Sequence, residues 1–158
     1  MENLPVRDDE LIRDLRSQST WRLFGLAVVT YGVYYAHYIV RQTRVLNERL
    51  PDDGKISPAF ASSILTLSYL TLGLFIGYLF VEEDHPIAVA SNVLDRVWML
   101  LILVWGFYAR NRMNTLTSSQ RGELTWFSGL WTLLFTPLYF NYKINVLSSS
   151  GETGRVVA

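Results

Sequence analysis

The chain has 158 residues, of which half are apolar, and its 14 basic and 14 acidic side chains balance to a net charge of zero. This length is enough for about one domain. A chain without net charge, and without a basic stripe between aromatic residues, lacks the positive field that attracts nucleic acid, so we expect no nucleic-acid partner. The absence of cysteine excludes disulfides, thiolate metal sites and cysteine nucleophiles.

Residues 1–19 are predicted to form a polar tail that contains a short amphipathic helix. Leu11, Ile12 and Leu15 fall on one face of this helix at helical spacing. We expect the helix to lie on a membrane surface.

Residues 20–147 contain four long apolar stretches, at about 22–41, 58–81, 87–113 and 122–145. An α-helix needs about 20 such residues to cross a bilayer. The second stretch opens with Ser57 as a helix N-cap and Pro58 at the first helical position. A helix of a soluble protein has one apolar stripe, whereas residues 65–80 are apolar on every side. We therefore predict an all-α fold, an integral membrane four-helix bundle, with a disordered tail at 148–158.

The charges between the stretches predict how the bundle is oriented. Basic residues lie in the first and third loops, whereas the second loop holds Glu82, Glu83 and Asp84. The positive-inside rule then places loops one and three in the cytoplasm and both termini outside, although the arginines of the tail oppose this arrangement. The side chains expected at the level of the lipid headgroups are Arg41, Arg44, Arg110, Arg112, Lys143 and Tyr139.

One spacing pattern occurs twice in the second half of the chain. Residues 106–119 and 137–150 match with Tyr108 paired to Tyr139, Arg112 to Lys143 and Asn114 to Asn145. One interpretation is a duplicated binding element, as in the inverted repeats of transporters. The interpretation that we favour is a repeated way to end a helix, with tyrosine and a cation at the interface and asparagine in a left-handed cap.

Four polar residues within the stretches are candidates for a pathway through the membrane: His37, Asp95, Arg96 and Tyr34. Charged groups at membrane depth are costly and usually functional. Asp95 has a structural alternative, in which Ser91 or Asn92 caps the third helix and the carboxylate lies in its first turn. His37 falls on a stripe with Thr30, Tyr34, Arg41 and Arg44, which we expect to point away from lipid, either into a hydrated crevice or into the bundle.

Small residues predict where helices approach one another closely. They are Gly32, Ala36, Gly73, Gly77 and Gly129, and they allow contacts within the chain or between copies of it. No catalytic motif is present, and the two histidines and scattered carboxylates lack the spacing of a metal site. We therefore expect no enzyme activity, no cofactor and no metal.

Several short motifs resemble a known bacterial family, the domain-of-unknown-function 4234 family. The motifs are Val28–Tyr35, Arg41–Arg44, Asn47-Glu48, Ile56–Pro58 and Tyr142–Asn145, so that the resemblance covers roughly residues 22–147. It implies a multi-pass bacterial membrane protein and supplies no activity.

The predicted function is that of a structural, accessory or interaction protein of the bacterial inner membrane. Its expected partners are membrane lipids and either a second copy or another membrane protein. The alternative is a small-solute or ion pathway that uses the polar candidates.

Overall fold

A computed structural model describes the backbone of residues 6–156 and the side chains of residues 10–150. This part of the chain contains helices and no strand, which confirms the predicted all-α class. A 3-10 turn at Asp52–Gly54 precedes the fourth of seven α-helices. The helices are α1 (Val6–Leu15), α2 (Thr20–Val29), α3 (Val33–Arg49), α4 (Pro58–Tyr78), α5 (Pro86–Leu116), α6 (Gly129–Phe135) and α7 (Leu138–Val156).

The longest helices, α4 and α5, form an antiparallel hairpin. The Ser57 hydroxyl caps α4 by accepting the N–H of Phe60, and Pro58 occupies the first turn, as expected from the sequence. At the end of the hairpin where α4 connects to α5, Gly77 faces Ile87. Two segments of the described chain, Asp52–Tyr78 and Pro86–Leu116, are long and apolar enough to cross a membrane. Only 22% and 17% of their most apolar 18-residue stretches are buried, so most side chains there are at least partly exposed.

The first predicted span, 22–41, is interrupted in the structure. Helix α2 ends at a left-handed turn in which Tyr31 has φ 48° and Gly32 has φ 82°. The chain then folds back, because the Tyr34 hydroxyl donates to Gln18 Oε1 over 2.7 Å although the two residues are 16 positions apart. A straight helix of that length would separate their backbones by about 24 Å. The four-helix membrane bundle is therefore not confirmed for this segment.

The fourth predicted span, 122–145, is also interrupted. Pro137 lies between α6 and α7, and a proline cannot donate to a helix that continues through it. The backbone N–H of Ser128, before α6, donates to the hydroxyl of Tyr139, in the first turn of α7, over 3.0 Å. The short helix α6 thus folds back onto the start of α7. Helix α7 then runs to Val156, whereas the sequence predicted a disordered tail from residue 148.

Helix α1 has the predicted apolar face, but that face packs against protein. Leu11, Ile12 and Leu15 are buried, in contact with α3 and α7, instead of lying on a lipid surface. Arg49, at the end of α3, pairs with Asp14 over 2.7 Å. Because this ion pair is partly exposed to solvent, the buried apolar face of α1 provides most of the stabilisation of the contact.

Candidate functional site

Two asparagines bind the backbone of the chain segment that follows their own helix. The amide of Asn47, in α3, donates to the carbonyl of Ile56 (2.7 Å) and accepts its N–H (2.8 Å). The amide of Asn114, in α5, makes the same pair of hydrogen bonds with Phe127, at 3.1 and 2.8 Å. Each amide replaces the partner that a strand or helix would otherwise give these buried backbone groups.

A third asparagine joins the C-terminal helix to the segment before α2. Asn145, in α7, donates to the carbonyl of Gln18 over 3.0 Å, and Asn141, one turn earlier, donates to the same oxygen over 3.1 Å. We call the contacts of Asn47, Asn114 and Asn145 the asparagine clamps.

The clamps share a local pattern. Each asparagine follows a fully buried apolar residue, and each clamped residue precedes the serine before a new helix. The buried residues are Leu46, Met113 and Ile144, and the serines are Ser57, Ser128 and Ser19. The repeated spacing of Asn114 and Asn145 in the sequence therefore has a structural cause. Instead of capping its own helix, each of these two asparagines fixes the start of another.

The side chain of Asp95, in α5, contacts the turn between α2 and α3. Its carboxylate accepts the hydroxyl of Tyr31 over 2.8 Å, and the Tyr31 ring stacks on Phe75 with 4.1 Å between centroids. Helix α5 begins at Pro86, after His85 as its N-cap, so Asp95 lies in its third turn and not in the first turn, as the capping interpretation required. Asp95 is half-buried, whereas the neighbouring Arg96 is exposed.

The four pathway candidates do not converge. Tyr34 binds Gln18, and His37 Nε2 lies 2.8 Å from the hydroxyl of Tyr69 on an exposed face of α3 and α4. Arg41 and Arg44 are exposed as well, so the predicted inward stripe faces outward along most of its length. Tyr34 and Asp95 thus make separate half-buried contacts, whereas His37 and Arg96 are exposed.

The buried polar residues of α3 lie on its other face and were missed by the sequence reasoning. Gln42 is fully buried and donates to the carbonyl of Leu15 over 3.0 Å, at the end of α1. The Thr43 hydroxyl accepts the indole N–H of Trp105 over 2.9 Å. Both lie beyond Arg41, where the apolar stretch ended in the sequence, and for that reason they were assigned to a loop.

The small residues predicted at helix contacts differ in how closely other residues pack against them. Ala36 is fully buried, and a Cβ at Gly32 would collide with the ring of Trp98. A Cβ at Gly73 would meet nothing within 4 Å, and one at Gly77 or Gly129 would make only ordinary contacts. Gly106, which the sequence did not single out, lies against Thr136 as closely as Gly32 lies against Trp98.

Three of the six side chains predicted at the headgroups bind protein instead. Arg110 Nε donates to the carbonyl of Phe127 over 2.9 Å, Arg41 donates to the carbonyl of Asp14 over 3.0 Å, and Tyr139 accepts from Ser128. The other three are exposed or half-buried, namely Arg44, Arg112 and Lys143.

Comparison with known proteins gives one match. Residues 18–88 match a family model described as a domain of unknown function (DUF4234), whereas no curated protein and no solved structure matches the chain. The match includes the turn at Gly32, the first asparagine clamp and the whole of α4. The resemblance of Tyr142–Asn145 lies outside it. The resemblance inferred from the sequence is thus confirmed for part of the chain, because residues 18–88 match the model of the DUF4234 family.

Proposed function

We propose that the chain is an integral membrane protein in which α4 and α5 cross the bilayer, while α2–α3 and α6–α7 enter it and fold back. The observation that carries the proposal is the exposure of apolar side chains on both long helices. Ile76 of α4, Leu79 directly after it, and Val93 and Met99 of α5 are all at least half exposed. Helix α4 has 21 residues and is about 32 Å long, close to the roughly 30 Å of a hydrocarbon core.

The distribution of charge supports two crossings rather than four. Asp14 pairs with Arg49, and Arg16 donates to Ser148 over 3.1 Å, which brings both terminal regions to the loop-one end of α3. The N-terminal arginines then lie on the same side as the cations of loops one and three. The acidic residues of the second loop, 82–84, lie on the opposite side. This arrangement satisfies the positive-inside rule without the conflict that four crossings create. We propose that the membrane is the inner membrane of a bacterium.

Within that membrane we propose a non-enzymatic accessory or interaction role. The half-buried side chains of Asn47 and Asn114 and the buried side chains of Asn141 and Gln42 bind the backbone of other segments. The exposed apolar face of α4 and α5 is the surface that lipid, a second copy or another membrane protein would contact.

Photo-crosslinking in native membranes tests this role. A photoreactive residue at Ile76, which is half exposed on α4, is expected to capture a second copy or a protein partner at a defined mass. The same residue at Ile64, which is fully buried in α4, is the matched control and is expected to capture nothing outside the chain. Labelling of lipid alone from Ile76, and from further exposed positions on α5, would refute a role in protein interaction.

A pathway for ions or small solutes is the second candidate, and the half-buried carboxylate of Asp95 favours it. Flux into proteoliposomes separates the two functions. The accessory role predicts no flux above that of empty liposomes. Flux that is lost in Asp95→Asn but kept in His85→Ala, a variant in the exposed second loop, would replace the accessory role by transport.

A further inference from the structure

A pocket lies between the start of α4 and the C-terminal half of α5, at the end of the hairpin that carries loops one and three. Its volume of about 400 Å³ falls in the range of roughly 300–1,000 Å³ that is typical of ligand sites. The side chains that line it include two cations, two hydroxyls and two large apolar groups. They are Lys55, Arg112, Ser57, Tyr108, Phe60 and Val104.

Both sides of this pocket change from charged to apolar in the same direction. On α5, Val104, Tyr108 and Arg112 follow one another at four-residue spacing, so they share one face, with the cation nearest the C-terminal end. On the other side, Lys55 precedes α4 and Phe60 lies in its first turn. The Phe60 ring packs edge-on against Tyr108, with 5.9 Å between centroids. Because α4 and α5 are antiparallel, both cations lie at the loop end of the pocket and the apolar side chains lie deeper.

Arg112 is a half-buried arginine without a partner. Among the side chains that the structure describes, none accepts a hydrogen bond from its guanidinium, and its Nε is buried. The half-buried Arg49 and Arg110 differ in this respect, since Arg49 pairs with a carboxylate and Arg110 donates to a backbone carbonyl. A buried donor without an acceptor is costly, and more so when the group is charged. A ligand that brings an acceptor to Arg112 would remove this cost.

Lys55 supplies the second cation of the pocket. Its ammonium lies 2.6 Å from Asp52 Oδ1, but the Asp52 side chain is 97% exposed, and ion pairs of this kind contribute little to stability. An ammonium has three donors, so one contact with Asp52 leaves two for a ligand. The loop end of the pocket thus offers a guanidinium and an ammonium to the same ligand.

We infer that this pocket binds the phosphate of a membrane lipid between Arg112 and Lys55, with the start of an acyl chain against Phe60 and Val104. The inference rests on the proposed membrane insertion and adds a ligand class to it. The oxygens of a phosphate accept hydrogen bonds from both cations. In the proposed orientation, the cationic end of the pocket lies at the cytoplasmic surface, where basic pockets between membrane helices bind anionic headgroups. A lipid of the inner leaflet has its headgroup and chains in the same order as the pocket.

The test is titration of the purified full-length protein in mild detergent with phosphatidylglycerol or phosphatidylcholine of the same acyl chains, followed by native mass spectrometry. We expect phosphatidylglycerol to bind about tenfold more tightly, a difference of about 1.4 kcal/mol. Arg112→Gln is expected to reduce the preference to within about threefold. Arg121→Gln removes the same charge from an exposed position in the third loop and is expected to retain it. Equal affinities for the two lipids, or equal effects of the two substitutions, would overturn the inference.

A second pair of variants tests the place of Lys55. Asp52→Asn removes the carboxylate that competes with the phosphate for this ammonium, so we expect it to strengthen the binding of phosphatidylglycerol about threefold. Asp53→Asn makes the same change of charge at the neighbouring exposed position and is expected to have a smaller effect. Equal increases would show a general effect of charge and would overturn the placement of the phosphate at Lys55.

Two further measurements separate this inference from its alternatives. An excess of inorganic phosphate is expected to displace little phosphatidylglycerol, because free phosphate lacks the contact with the apolar part of the pocket. Complete displacement would overturn the lipid as the ligand in favour of a soluble phosphate. A protein that resists extraction from membranes by alkaline carbonate but lacks selective lipid binding refutes this inference alone, whereas a protein released by carbonate refutes the membrane insertion.

Discussion

Replacement of Gly32 by alanine tests the turn that interrupts the first predicted span. Gly32 has φ 82°, a conformation that costs an L-residue roughly 1–2 kcal/mol. Its new Cβ would also collide with the ring of Trp98. That ring has little freedom to move, because its indole N–H donates to the carbonyl of Ile64 over 3.2 Å. Overpacking of this kind costs about 1–3 kcal/mol. The expected loss in the free energy of unfolding is therefore about 2–5 kcal/mol.

The assay is denaturant unfolding in detergent micelles, followed by tryptophan fluorescence, with Gly73→Ala as the matched control. Gly73 lies within α4, and a Cβ there meets nothing within 4 Å. Alanine at Gly73 is expected to leave stability unchanged or to raise it by up to about 1 kcal/mol, through its higher helix propensity. If Gly32→Ala unfolds within about 0.5 kcal/mol of the unchanged protein, as ordinary surface substitutions do, the described turn is wrong.

Three further substitutions test individual contacts in the same unfolding assay. Asn114→Ala leaves the backbone N–H of Phe127 unpaired, while the Phe127 carbonyl keeps its hydrogen bond from Arg110, and the expected cost is about 1–3 kcal/mol. Asn111→Ala, at an exposed position of the same helix, is expected to cost much less, and equal losses would contradict the clamp. Tyr31→Phe removes the hydrogen bond to Asp95 and is expected to cost about 0.5–1.5 kcal/mol, and no change would argue against that bond. Arg49→Ala breaks a partly exposed ion pair and is expected to lower the free energy of unfolding by about 1 kcal/mol or less. This loss of stability is expected to shrink at high salt, and a loss that is independent of salt would contradict an electrostatic origin.

Local signals in the sequence predicted part of the fold. The start of α4 follows from Ser57 and Pro58, whose effects on a helix N-terminus depend only on neighbouring backbone. The apolar face of α1 follows from helical spacing. The long apolar helices α4 and α5 follow from composition, and their exposure in the structure agrees with the absence of a polar face.

Local signals did not predict the two reversals of the chain, between α2 and α3 and between α6 and α7. Gly32 is tolerated in a helix, and its left-handed conformation depends on a partner, Trp98, that lies far away in sequence. The fold-back of α2 onto α3 and of α6 onto α7 is held by the hydroxyls of Tyr34 and Tyr139, which bind residues on the far side of each turn. The apolar stretches 22–41 and 122–145 are therefore predicted as membrane spans, although each folds back in the structure.

The partners of the asparagine clamps could not be predicted from the sequence either. The spacing of Asn114 and Asn145 was visible as a repeat, but the backbone groups that they bind belong to other segments. A single sequence reveals such a partner only where the spacing is local, as between Asn47 and Ile56, nine residues apart.

Cysteine accessibility across the membrane tests the central claim that α4 and α5 cross the bilayer and that α2 and α3 fold back within it. The chain has no cysteine of its own, so single substitutions at Glu10, Asp53, Glu83 and Gln120 can be labelled without background. With a membrane-impermeant maleimide on inside-out and right-side-out vesicles, we expect positions 10, 53 and 120 to be labelled from the cytoplasmic side, and position 83 from the opposite side. Labelling of position 10 on the same side as position 83 would mean that the first segment crosses the bilayer, and would contradict the account.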